Sequence, residues 1–135
     1  MTKSAKPPKS VTPEMVIFSQ TYDLLKWILP HCEDFPKAQR FSLTQRLESA
    51  ALDFAELLYV ANALHGQDRL LQLRQADACL NKMRMYLRLI HDWEWLKSGQ
   101  YQHVSSMIAE LGKLLGGWIR QTQNSLSNRG QVLRG

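Results

Sequence analysis

The sequence predicts an all-α fold, an up-down-up-down four-helix bundle, and three observations predict it. Four long segments repeat their apolar side chains at steps of three and four, the period of a helix that buries one face. The breaks between them are only a few residues long, which favours antiparallel neighbours. No stretch shows the sustained alternation of a strand.

The elements follow in order. Residues 1–12 are rich in lysine, proline and serine with nothing to bury, and read as a disordered basic arm. Thr12, Pro13 and Glu14 then make a helix start: a capping hydroxyl, a proline at the first helical position and an acid in the first turn. Helix one is expected from Pro13 to about Glu33, with Ile17 or Phe18, Leu24, Leu25, Ile28 and Leu29 inward, and with a kink or early end at Pro30. Phe35 to Phe41 is a connector broken by Pro36. Helix two, from about Ser42 to Leu64, carries a heptad seam of Leu43, Leu47, Ala50, Phe54, Leu57, Ala61 and Leu64, the repeat that packs near-parallel helices. His65 and Gly66 should end it, and Asp68 should cap helix three, which runs to about Lys97 and stops at Ser98 and Gly99.

Helix three organises the chain. Leu73, Ala76, Leu80, Met83, Leu87 and Ile90 form its core stripe, and Leu71, Ala78, Met85, Leu89 and Leu96 form a second apolar stripe, a candidate for contact with a further copy of the chain. Arg74, Asp77, Asn81, Arg84 and Arg88 run between the two. If both stripes are buried, the arginines must line a groove, pair with an acid or meet an anion, because an unpaired buried charge costs several kcal/mol or more. Asp77 can partner one or two of them, which leaves at least one free. A salt-bridged or solvated face is the plain reading; a phosphate-facing row of Arg74, Arg84 and Arg88 is the sharper one, and suits arginine's planar fork of donors. Helix four, from about Tyr101 to Thr122, buries Val104, Met107, Ile108, Leu111, Leu115 and Trp118. Ser105, Ala109, Gly112 and Gly116 make a separate small-residue stripe on it, where another backbone should come close, since glycine inside a helix costs about 1 kcal/mol relative to alanine. The bundle therefore spans residues 13–122, and residues 123–135, polar and poor in anchors, read as a flexible tail.

Composition narrows the function classes. A chain of 135 residues with two cysteines, Cys32 and Cys79, is one domain without a disulfide scaffold. Both cysteines sit on helical patterns as small apolar residues, and a reducing cytoplasm fits that usage. No signal peptide or membrane span is expected, so the localisation read from the sequence is cytoplasmic, without a membrane partner. The net charge is +5. Lys3, Lys6 and Lys9 in the arm and Arg129 and Arg134 in the tail face no acid there; removing these five from the seventeen Lys and Arg leaves twelve, against twelve acids in residues 13–120. The body is neutral overall but segregated, since residues 68–90 are basic while residues 46–56 are acidic.

The enzyme signatures are absent. There is no H-E-x-x-H, no glycine-rich phosphate loop, no G-x-S-x-G and no close set of Cys and His ligands, so no catalytic residue, metal or cofactor is expected. His31, His65, His91 and His103 are scattered and read as structural or surface residues. Trp93, Trp95 and Trp118 read first as packing residues at a core or subunit boundary, and second as surfaces for base stacking. Arg84 and His91 share one side of helix three and resemble the R-x(4–6)-H motif of HEPN ribonucleases, a family in which the pair from two subunits meets across a dimer cleft.

A second resemblance covers residues 15–122. Gln72 to Ile90, QLRQADACLNKMRMYLRLI, with Ser106 to Arg120, SMIAELGKLLGGWIR, resembles the accessory variability determinant (Avd) proteins of diversity-generating retroelements. The segment from Phe35, FPKAQRFSLTQRLESAA, resembles the related bundle proteins encoded in intervening sequences of bacterial large-subunit ribosomal RNA genes, a group without established activity. The Avd resemblance implies a noncatalytic four-helix bundle assembled as a homopentamer with a basic, nucleic-acid-binding surface. It also implies association with the retroelement reverse transcriptase, its structured RNA and DNA in mutagenic retrohoming. Basic residues of Avd at the positions matching Arg84 and Arg88 contribute to that surface. The alternatives are the HEPN-like ribonuclease and an intervening-sequence-type bundle of unknown partner.

Overall fold

A computed structural model describes residues 13–134, with side chains described over 16–130. The expected arm, residues 1–12, lies outside the described residues. Four helices account for nearly all of them: α1 (Pro13–Cys32), α2 (Gln45–Ala63), α3 (Gly66–Asp92) and α4 (Ser98–Arg134). Each packs on its neighbours in sequence, and α1 closes the ring against α4. The architecture is the expected four-helix bundle.

The core is built from the predicted stripes. Leu73, Ala76, Leu80, Met83, Leu87 and Ile90 of α3 are each at most 2% exposed. They meet Leu24 and Ile28 of α1, Leu47, Phe54 and Leu58 of α2, and Leu111 and Leu115 of α4 in one continuous apolar cluster. Burial of the leucine, isoleucine, methionine and phenylalanine side chains contributes about 1.5–3 kcal/mol each. Ala51, Ala55 and Leu58 are buried beside the heptad seam of α2, because that helix is covered on two sides, by α1 and α3.

The boundaries differ from the expected ones for local reasons. Pro30 lies inside α1, which ends two residues later in a tightened turn where the amides of Glu33, Asp34 and Phe35 donate to the carbonyls of Pro30, His31 and Cys32. Phe35 is buried and packs on Trp95, with ring centroids 5.7 Å apart. The chain then enters α2 through a 3-10 turn (Lys37–Gln39) and a π-helical turn (Arg40–Thr44). That π turn has a consequence for packing. Thr21 and Thr122, both buried, donate their hydroxyls to the carbonyls four residues back, Ile17 at 2.7 Å and Trp118 at 2.9 Å. Thr44 is equally buried, yet its Oγ1 has no partner. The wider turn moves the carbonyl of Arg40 out of the register that serves the other two threonines.

Asp68 does not cap α3; the helix opens two residues earlier, at Gly66, whose φ of +60° suits glycine. The end of α2 is capped by Arg69, which donates from Nε to the Ala61 carbonyl (2.9 Å) and from Nη2 to the Asn62 carbonyl (3.3 Å). That is a cation placed on the negative end of a helix. α3 stops at Asp92 instead of Lys97, in a Schellman turn: Glu94 donates to His91 and Trp95 to Ile90, with Glu94 in the left-handed region at φ +63°. Ser98 and Gly99 start α4 instead of ending α3, because the Gln100 side chain reaches back to accept from the Lys97 amide at 2.9 Å. α4 then continues through Thr122 to Arg134, over the stretch read as a tail. Leu126, half-buried, would touch a side chain placed on Gly66 at 3.5 Å, so this extension packs on the α2–α3 turn.

Candidate nucleic-acid interface

Arg84 and Arg88 follow Leu80 by one and two turns, and at about 40° of drift per four residues they rotate out of the core toward α4. All three arginines of the predicted row are exposed. Arg84 donates from Nη1 to Oδ1 of Asn81 at 2.7 Å. Its guanidinium lies over Gly112 of α4, so closely that a Cβ on that glycine would sit 2.7 Å from Nη2. At Gly112 the small-residue stripe of α4 thus admits an arginine side chain of α3, where a backbone of the same chain or of another subunit was expected. Gly116 differs, because a Cβ there would meet Nη1 of Arg120 at 3.5 Å, an ordinary contact.

The result is a shallow depression of about 280 Å³ between α3 and α4, lined by Arg84, Leu87, Arg88, Tyr101, Ser105 and Ile108. Two arginines, a phenol and a hydroxyl converge on it, and no carboxylate lines it. Arg74 does not join them: it stands ten residues before Arg84, roughly 15 Å along the axis. Among the described residues the one ion-pair contact is His91 Nδ1 to Asp92 Oδ1 at 3.9 Å, so Asp77 does not pair with the row.

The electrostatic premise of the sequence argument is corrected by burial. Leu71 and Met85 of the second stripe are each 54% exposed in the single chain, and Leu89 is 37% exposed. In the single chain the arginines are therefore not trapped between two buried flanks, and within it desolvation does not force an anion upon them. What the geometry supplies instead is a cationic, acid-free depression with donors already in place. Planar guanidinium forks of this kind match phosphate oxygens, and each such contact releases counterions from a polyanion.

Tyr101 and Ser105 are members of this surface that sequence reasoning missed. His91, of the Arg84/His91 pair, is half-buried and stacks on Tyr101 with ring centroids 4.1 Å apart. His31 stacks on Trp27 at 3.7 Å and donates from Nδ1 to the Trp27 carbonyl at 2.6 Å. Both cysteines are buried free thiols. Burial, reinforced by the Glu48 carboxylate, pushes the Cys32 thiol up to about 12. The Cys79 thiol is also raised, by burial and then Asp53. Among the described residues no group of three or more His, Cys, Asp and Glu side chains is placed to hold a metal ion, and no helix is long and apolar enough to cross a membrane.

The bAvd-like family model matches residues 15–122, four-fifths of the chain. The chain belongs to the bAvd-like family. Among solved structures, this bAvd-like chain is similar to a protein of unknown function from the S23 ribosomal protein family of Bacteroides thetaiotaomicron VPI-5482. The TM-score is 0.74 at 16% identity, over 81% of this chain and 99% of that one. At that identity the likeness speaks for the bundle alone. No curated protein matches the bAvd-like chain.

Proposed function

We propose that this bAvd-like protein is a noncatalytic accessory factor of a diversity-generating retroelement, which binds RNA and DNA through the Arg84–Arg88 surface and associates with the reverse transcriptase to support mutagenic cDNA synthesis. The observation that carries the reading is the convergence of Arg84 and Arg88 on an acid-free depression in a chain of this family. Self-association belongs to the same reading, as a homopentamer in the cytoplasm. The exposed stripe of Leu71, Ala78, Met85 and Leu89 supports a contact between copies, and an oligomer multiplies a modest cluster of arginines by its copy number. A body whose net charge is near zero then presents several cationic surfaces at once.

Coexpression tests the proposal. With a retroelement reverse transcriptase and its structured RNA, the chain should co-elute in one complex, and cDNA synthesis from the template repeat should require it. cDNA formed equally well without the chain, together with no co-elution, would overturn the assignment.

A further inference from the structure

We propose that the turn between α2 and α3 forms a second anion site, one that takes a phosphate monoester. A cavity of about 240 Å³ opens there, against the extension of α4, and is lined by His65, Gly66, Arg69, Gln121, Ser125 and Arg129 among others. It is separate from the depression near Arg84, since fifteen residues of α3 between Arg69 and Arg84 span roughly 22 Å.

The chemistry of the lining identifies the ligand class. Two guanidinium groups, a primary amide, an imidazole and two hydroxyls, of which that of Thr122 is bonded to the Trp118 carbonyl, line one small volume, and no carboxylate lines it. Arg69 is held in place before any ligand arrives: Nε and Nη2 are bonded to the Ala61 and Asn62 carbonyls, and the guanidinium lies 5.6 Å from the centre of the Trp118 ring. Two of its five N–H donors are engaged in this way, which leaves others for an oxyanion without a further loss of side-chain freedom. Arg129 and Ser125 come from the part of α4 beyond Thr122, so the extended helix completes the cavity. A phosphate monoester carries a charge of about −1.5 to −2 near neutral pH and three terminal acceptor oxygens, more than an internal diester offers. A small pocket at the end of a bundle admits such an end group more readily than the side of a duplex. The ligand is therefore inorganic phosphate or the terminal phosphate of a nucleic acid strand, both of which present the same group.

The full chain is titrated with inorganic phosphate at constant ionic strength, and with short single strands carrying either a 5′-phosphate or a 5′-hydroxyl. Amide resonances of Gly66, Gln67 and Ser125 should move in the phosphate titration. If the source is a strand end, the phosphorylated strand should bind about tenfold more tightly than the hydroxyl strand, the worth of one charge-assisted contact. Arg129→Gln, at an exposed position, should abolish the phosphate response without unfolding the chain. It should also spare binding that depends on Arg84 and Arg88, so this site and the proposed function fail separately. A response to inorganic phosphate with no preference between the strands assigns the site to free phosphate. Resonances that stay still in phosphate, with equal affinity for the two strands, would overturn the proposal.

Discussion

Gly112→Ala discriminates between an arginine and a fixed backbone as the occupant of the space beside α4. The new Cβ would lie 2.7 Å from Arg84 Nη2, 3.6 Å from Leu80 Cδ2 and 4.0 Å from Arg84 Cζ. The Leu80 contact is ordinary packing, so the one clash is with the far end of a flexible, exposed side chain. Removing glycine from a helix interior contributes about 1 kcal/mol of stability. Swinging Arg84 aside forfeits its exposed hydrogen bond to Asn81, worth about 0.5 kcal/mol. The net expectation is a gain of about 0.5 kcal/mol, or roughly 2–3 °C in Tm for a domain of this size. Urea unfolding measures it, and in an Arg84→Ala background the same substitution should contribute the full propensity gain. If Gly112→Ala instead costs more than about 2 kcal/mol, something rigid lies against that glycine and the account of the α3–α4 groove is wrong.

Other predictions rest on single side chains. Thr44→Val should raise stability by about 1 kcal/mol, because it removes a buried hydroxyl without a partner, whereas Thr21→Val should be neutral or destabilising; thermal melts of the pair check the contrast. Glu94→Gly should stabilise the chain by about 1 kcal/mol in denaturant titrations, since it relieves a left-handed residue in the Schellman turn. Cys32 should resist thiol reagents at neutral pH until the chain unfolds. With its thiol raised from 9.0 to about 12, folding favours the protonated form, so the associated stability is present below pH 9 and is lost as the pH rises toward 12. Comparing wild-type melts with those of Cys32→Ala across that window isolates the contribution.

Much of the fold was legible because apolar periodicity reports burial directly. All six residues of the α3 core stripe are buried as their spacing requires. The helix ends were harder to read, because side chains far away in sequence or an unusual turn decide them. Arg69 caps α2 from the next helix, Glu94 takes a conformation usually left to glycine, and Gln100 converts an expected stop into a start. The extension of α4 was hidden by its polarity, since Leu126 is its one half-buried apolar anchor among the described residues. At the candidate site, Arg84 and Arg88 were visible as a row, but the reason offered for their importance was not the one the geometry supplies. Exposure of Leu71 and Met85 removes the desolvation argument for the single chain, and the acid-free depression, with Arg84 laid over Gly112, replaces it. That contact pairs residues from two helices, which periodicity within either helix cannot show.

Salt dependence of RNA and duplex DNA binding, measured for the wild type and for Arg84→Ala with Arg88→Ala, tests the central claim most directly. Each lost phosphate contact should lower the slope of log K against log salt by about 0.9 on duplex and about 0.7 on single strands. The double variant should therefore bind more weakly with a shallower slope, while its mass in solution stays that of the wild type. Wild-type affinity and slope retained in a variant of unchanged mass would contradict the assignment of this surface.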